Sequence, residues 1–144
     1  MSNIVYIDYE AALDTYIKTI NSSGGGFHGV RDEDGLRSVL EFTQSDVYYP
    51  TFEDKFIYLT FRICTGHYFN DGNKRVALTI GVRFLMLNKK FWHGCLFMKR
   101  FEAIIYHVAK GTVDEQLYSR GVKFFLSNEE PDEAYKLELA NAME

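Results

Sequence analysis

The chain has 144 residues, enough for one domain that buries roughly two-thirds of its unfolded surface. Its hydrophobic fraction of 47% and aromatic fraction of 16% indicate a packed core and exclude a disordered chain. The formal net charge of −4 provides no basic field for direct nucleic-acid binding, so any anion site must be local.

The sequence shows neither a targeting segment nor a membrane span. Residues 1–8 lack a basic stretch and a long apolar run, and no window approaches about 18 apolar residues. Cys64 and Cys95 are too few for a disulfide framework and lack the spacing of a metal site. We therefore expect a cytoplasmic protein with a single domain over residues 1–144 and no membrane partner.

The N-terminal part predicts one helix followed by a flexible loop. Residues 4–7 alternate weakly, which predicts a short strand or an extended lead-in to the first helix. Asp8 can cap a helix that runs to about residue 20. The glycine run within residues 21–26 should end this helix; it lacks the spacing of a usual phosphate-binding loop. His28 is expected to lie in solvent after this run.

Two further helices are expected before the middle of the chain. The first runs over residues 32–42, and the second over residues 52–66, where Thr51 and Asp54 form a capping box. Residues 44–50 between these helices are irregular and contain two adjacent tyrosines. We interpret these tyrosines as aromatics that close the edge of the core.

The polar chemistry of the chain is concentrated in residues 67–75, which read HYFNDGNKR. An apolar helix is expected over residues 73–87, and because most of its circumference is apolar, it should be the central helix. Gly72 and Asn73 suit the turn before this helix. The N–H groups at its N-terminus and the positive end of its dipole together form an anion site.

Four side chains of this stretch carry functional groups. Lys74 and Arg75 add positive charge, and the guanidinium can hold a phosphate through two bonds. Asp71 is a hard oxygen ligand, suited to a Mg²⁺ that also binds substrate phosphates. His67 can accept a proton from an attacking hydroxyl. The combination indicates phosphoryl or nucleotidyl transfer, and the alternative is an ordinary helix–loop–helix junction with solvated charges.

The segment after the central helix predicts a short link and a fifth helix. Residues 91–94 read FWHG, which is expected to be extended and could pair with the N-terminal segment. The fifth helix should cover residues 98–109 and end at Gly111.

Two more helices are expected at the C-terminal end. Thr112 and Glu115 make a capping box for a helix that runs to about residue 126, and Pro131 suits the first turn of the last helix. The predicted fold is thus an all-α bundle of six to seven helices around a central buried helix, with a short β-hairpin or strand allowed at the edge.

Residues 67–75 resemble the signature loop of the Fic/Doc family, with the pattern H-x-F-x-D-G-N-K-R, and are most similar to its Doc (death-on-curing) toxin branch. Outside this loop the likeness is looser: a glycine-rich turn, an acidic helix start and an amphipathic helix before the histidine. The resemblance implies a single Fic-type domain in which Phe69 points into the core and holds the loop.

The resemblance also implies roles for the polar residues of the loop. His67 would be the general base acting on a hydroxyl of a target protein, and Asp71 would hold the Mg²⁺. Gly72 and Asn73 would supply backbone donors to a phosphate of ATP. Arg75 would neutralise charge on the transferring or neighbouring phosphate.

Two positions bear on which group is transferred. Doc-type members carry Lys at the position of Lys74, and AMP-transferring members carry Gly there. The Doc-type arrangement implies reversed ATP binding and transfer of the terminal phosphate, as in a protein kinase. Gly72 points the other way, since Doc itself has Ala at that place. We favour the kinase because Lys74 changes both volume and charge, and the alternative is an AMP transferase.

The resemblance further implies protein partners. Doc acts on a translation elongation factor, so the expected acceptor is a hydroxyl of elongation factor Tu. The inhibitory string [S/T]-x-x-x-E-[G/N] of some relatives is absent from the sequence, which fits silencing by a separate antitoxin. In the family a flap aligns the target, and residues 44–50 are a candidate for it. A non-catalytic module that binds an anion or a peptide is the alternative of a different class.

Overall fold

Seven α-helices form in the part of the chain that the computed structural model describes, residues 3–23 and 29–144. In chain order they are α1 (Tyr9–Ser22), α2 (Glu33–Phe42), α3 (Phe52–Thr65), α4 (Asn73–Leu87), α5 (Phe91–Lys110), α6 (Glu115–Ser127) and α7 (Glu133–Ala142). The predicted all-α bundle is therefore confirmed. Within these residues, no helix combines the length and apolar character that crossing a bilayer would need. The predictions for the glycine run and for His28 concern residues 24–28, which lie outside the described part.

Asp8 and Thr51 cap the first and third helices as predicted, and Asp32, expected as the first residue of the second helix, is its cap. Asp8, Asp32 and Thr51 each accept the backbone N–H of the residue three positions later, at 2.8–3.0 Å. Each such cap satisfies one N–H that the helix itself leaves without an acceptor, which stabilises the helix by about 1 kcal/mol.

The expected strand or hairpin does not form in the described residues, where the β-pairing is one isolated antiparallel bridge between Val30 and Phe69. The N-terminal segment is held by a side chain instead. Asn88 accepts the N–H of Val5 at 2.8 Å and donates to its carbonyl oxygen at 2.9 Å. The side-chain amide of Asn88, at the end of α4, thus makes the two backbone hydrogen bonds to Val5 that a neighbouring strand would otherwise make.

The prediction of an extended link over residues 91–94 is wrong, because α5 begins at Phe91. Gly94 lies inside this helix. A Cβ at this position would lie 2.9 Å from Cε of Met86, so the glycine permits close packing of α4 on α5. A close approach of two helices leaves no local signal in the sequence, so the aromatic and glycine residues of this segment indicate an extended link.

The predicted starts of the last two helices are also corrected. Asp114, and not Thr112, caps α6; the Thr112 hydroxyl lies 2.9 Å from Nδ1 of His107 at the end of α5. Asp132 caps α7, so Pro131 precedes the cap and does not form the first turn. In each case the cap is the aspartate that immediately precedes the helix, and not a residue of the expected motif.

The central position of α4 is confirmed, since it packs against α1, α3 and α5. Its buried residues lie on several sides of the helix: Val76, Ala77, Leu78, Ile80, Gly81, Phe84 and Leu85. Burial on all these sides fixes the helix axis. The N-terminus of α4 is thereby held in place by the best-packed part of the core.

The segment between α2 and α3 carries an aromatic cluster. Tyr49 stacks on Tyr58 with ring centroids 4.2 Å apart, whereas Tyr48 is 67% exposed and leans on Phe42. Of the two adjacent tyrosines, only Tyr49 therefore closes the edge of the core as we interpreted from the sequence. Lys55 is completely buried below this segment.

Candidate active site

Residues 67–72 link the end of α3 to the start of α4, and a glycine stands at each end. Gly66 is the C-cap of α3, with φ −85° and ψ −9°, which any residue can adopt. Gly72 has φ 78°, in the left-handed region that favours glycine. A Cβ on Gly72 would also lie 2.7 Å from Cδ1 of Ile20 in α1. The loop is thus pressed against α1 at the point where α4 begins.

The middle of the loop is fixed by Phe69 and Asn73. Phe69 is 1% exposed, as expected, and stacks on Tyr16 of α1 with centroids 4.3 Å apart. The Asn73 amide binds the backbone of Phe69 twice: Oδ1 accepts its N–H at 3.1 Å, and Nδ2 donates to its carbonyl at 3.0 Å. This clamp ties the loop to the helix that it precedes.

His67 lies on the surface of the loop, with φ 55°. Left-handed backbone at a non-glycine residue costs about 1–3 kcal/mol and persists only where neighbouring structure holds it. The exposed imidazole can therefore be reached by a large acceptor such as a protein, while its backbone stays in one conformation.

The first turn of α4 presents backbone donors. The first N–H of the helix bonded within it is that of Val76, which donates to the carbonyl of Gly72 at 2.9 Å. The N–H groups of residues 73–75 have no acceptor within residues 3–23 and 29–144. The Gly72 N–H donates to Oδ1 of Asp71 at 2.8 Å, so the donors open to an anion are those of residues 73–75.

Lys74 and Arg75 are both exposed on this turn. Neither forms an ion pair in the part of the chain that the structure describes. Arg83, two turns further along α4, differs because it pairs with Asp14 at 3.1 Å. Within residues 3–23 and 29–144, two full positive charges without a carboxylate partner therefore lie on the turn that carries the backbone donors, and such a setting favours a phosphate group.

A groove of about 530 Å³ lies between α1, α4 and α5 and has Arg75 in its wall. Hydroxyl groups line it on the α1 side, and Thr19 and Thr79 join the two helices through a hydrogen bond of 2.8 Å. Sequence reasoning missed this groove. The signal was present in α4 itself, where Arg75, Thr79 and Arg83 follow at intervals of four residues, while the other residues from Val76 onward are apolar or glycine.

Asp71 is the candidate ligand for a divalent metal. The described residues contain no cluster of three or more His, Cys, Asp or Glu side chains that could form a metal cage. A single carboxylate fits Mg²⁺, which keeps several waters and takes its other ligands from substrate phosphates. The residues present thus suit a metal that arrives with a nucleotide.

Cys64 is the buried next-to-last residue of α3, and burial raises the pKa of its thiol to about 12. A thiol with this pKa is protonated at neutral pH and does not act as a nucleophile. Cys64 is therefore not a candidate nucleophile beside the loop, and His67 stays the predicted proton acceptor.

The sequence model of the Fic/DOC family matches residues 6–85, more than half of the 144 residues. The matched part includes α1 to α3, the whole loop and all but the last two residues of α4. No curated protein and no solved structure matches the chain.

Proposed function

Because the chain belongs to the Fic/DOC family, we propose that it is a protein kinase of the Doc type, which transfers the γ-phosphate of ATP to a hydroxyl of a protein. Enzymes of this family use ATP and typically a divalent metal, and they transfer phosphate-containing groups of nucleotides to proteins. The observation that carries the proposal is one loop that presents the exposed His67 and leads into the open donors of residues 73–75 and the charges of Lys74 and Arg75, which form no ion pair among the described residues.

The chemistry of the proposed reaction divides between the loop and the helix. His67 takes the proton from the acceptor hydroxyl, whose oxygen then forms a bond to the γ-phosphorus as the bond to the departing ADP breaks. The N–H groups of residues 73–75 and the Arg75 guanidinium stabilise the negative charge on the phosphate oxygens. Mg²⁺, held by Asp71 when it is bound, would shield the charge between neighbouring phosphates.

Lys74 supports γ-phosphate transfer over AMP transfer. Its exposed side chain adds volume and charge at the first turn of α4, where the phosphate chain of a nucleotide must lie. The glycine that AMP-transferring relatives carry there would leave that space open. Gly72 favours the second candidate, a protein AMP transferase, since those relatives also have glycine at its position.

The two candidates are separated by labelling a protein acceptor with γ-labelled or α-labelled ATP. The kinase proposal predicts label from the γ position alone, and Lys74→Gly should lose this label. His67→Ala should reduce transfer by a factor of roughly 10²–10⁴ while remaining folded, because the side chain is exposed. Strong α-labelling by the unmutated protein would favour the AMP transferase, and no labelling in either form would favour a non-catalytic module.

The proposed acceptor is elongation factor Tu, and an acceptor of that kind implies that the protein acts in the cytoplasm. Mass spectrometry of a cell lysate incubated with the protein and ATP would test the assignment. A gain of one phosphate on this factor is the expected result. Modification of a different protein would show that elongation factor Tu is not the acceptor and would leave the proposed type of reaction unchanged.

We further propose that a separate antitoxin inhibits the protein by laying a helix over the loop. The groove beside Arg75 supports this proposal, because it lies between α1, α4 and α5 and the apolar side chains of Leu78 and Met98 are part of its lining. Expression of the chain alone should arrest growth, and co-expression of the antitoxin should restore it. Growth without arrest, at a level of expression confirmed by blotting, would contradict the toxin proposal.

A further inference from the structure

The ring of Tyr68 fills a slot between two glycines from different helices. A Cβ on Gly66, at the end of α3, would lie 2.3 Å from Cε2 and Cζ of this ring. A Cβ on Gly35, in α2, would lie 2.8 Å from its Cε1. Tyr68 itself is 5% exposed. Gly66 cannot carry a side chain unless the ring moves, and a Cβ on Gly35 would in addition lie 2.3 Å from Oδ2 of Asp32, the N-cap of α2.

The glycine at the end of α3 provides space and not an unusual backbone conformation. The φ and ψ angles of Gly66 lie in the helical region, where alanine is equally at ease. Alanine is excluded only because its Cβ would collide with the Tyr68 ring. The slot is therefore specific to the side chain that it holds.

Backbone hydrogen bonds fix the chain on both sides of His67. Before it, the Gly66 N–H donates to the carbonyl of Arg62 at 2.8 Å. After it, the carbonyl of Tyr68 accepts the N–H groups of Arg31 at 2.8 Å and Asp32 at 3.1 Å. The left-handed backbone of His67 lies between these two points and directly before the residue whose ring fills the slot.

We propose that Tyr68, held between Gly35 and Gly66, is a positioning residue that sets the direction in which the His67 imidazole points. The proposal rests on the proposed role of His67 as the general base. It assigns a function to a buried side chain next to His67 in the chain. A shift of the imidazole by about 1 Å is enough to lower the rate of proton transfer strongly.

The test is Gly66→Ala, with Gly121→Ala as the matched control. A Cβ on Gly121, in α6, would lie 2.2 Å from the hydroxyl of Tyr135 in α7, so both variants press an alanine against a buried tyrosine. Gly66→Ala should lower kcat at least about tenfold with little change in KM for ATP, whereas Gly121→Ala should retain kcat. Equal kcat in the two variants would overturn the proposal.

A second pair of variants tests the ring itself. Tyr68→Ala empties the slot and should lower kcat as Gly66→Ala does, and Tyr68→Phe, which keeps the ring, should restore most of the loss. Failure of phenylalanine to restore activity would overturn the role of the ring.

NMR signals of the His67 ring separate this proposal from the proposed function, since they require no turnover. The signals should shift in Gly66→Ala and stay in place in Gly121→Ala. If the signals shift but the unmutated protein transfers no group, the kinase assignment fails and the positioning role stands. If they do not shift, the positioning role fails.

Discussion

We expect an anion bound at the start of α4 to contact the guanidinium of Arg75. Arg75→Ala should lower transfer by about 10²–10³, because a charged donor to the phosphate is lost. Arg75→Lys should restore only part of this, since an ammonium cannot form two parallel bonds to one phosphate. Steady-state transfer with labelled ATP measures both effects.

A surface arginine of another helix controls for the general loss of a positive charge. Arg37 on α2 is paired with Glu33 at 2.8 Å and lies outside the loop and the groove. Arg37→Ala should therefore retain transfer. If Arg75→Lys were as active as the unmutated protein, charge alone would matter at this position.

At the scale of single residues, the sequence predicted the polar groups of the site but not the contacts that hold them. Asn73 was expected to contribute a backbone donor, and the structure shows that its side chain also binds the backbone of Phe69. The slot of Tyr68 was not predicted, because Gly35 and Gly66 approach it from separate helices. Contacts between distant segments leave no pattern within a short window of sequence.

At the scale of elements, the clamp at the start of α4 has a counterpart at its end. Asn73→Ala removes two hydrogen bonds and should lower the free energy of unfolding by about 1–3 kcal/mol, and kcat with it, because the loop is no longer tied to the helix. Urea denaturation and labelled transfer measure the two effects.

Asn88→Ala is the matched control, since Asn88 binds the backbone of Val5 in the same manner as Asn73 binds Phe69. It should lower stability to a similar degree and leave kcat unchanged. A parallel fall of kcat in both variants would mean that activity follows overall stability and not the attachment of the loop.

The bounds of α4 were predicted at both ends, whereas the start of α5 was misplaced by seven residues, from Met98 to Phe91. The apolar pattern of α4 is continuous, and its ends coincide with residues that favour helix ends. The first turns of α5 contain aromatics and Gly94, which are weak helix formers. Packing against Met86 overrides that local preference.

At the scale of the whole molecule, stability should fall in alkaline solution. Burial raises the pKa of Cys64 to about 12 from the ordinary value of 9.0. It also raises the pKa of Tyr118, whose hydroxyl lies 2.6 Å from that of Thr60. Above pH 9 the unfolded chain loses these protons while the folded protein keeps them, so the free energy of unfolding decreases with pH between about 9 and 12.

Urea denaturation at pH 8 and pH 10 would measure this decrease. Cys64→Ala should reduce the difference between the two pH values, because one of the responsible groups is removed. Cys95→Ala, at an exposed cysteine, should leave the difference unchanged. An identical pH dependence in all three proteins would show that Cys64 ionises equally in the folded and unfolded states.

The attachment of the N-terminal segment to Asn88 has a practical consequence for handling the protein. The helix between Asn88 and the loop has 15 residues, which corresponds to a length of about 22 Å. An affinity tag or a surface anchor joined ahead of Asn3 therefore emerges at the far end of α4 from His67. Immobilisation through that end would leave the imidazole facing the solution, so a bead-bound form could be used to capture and modify acceptors from an extract.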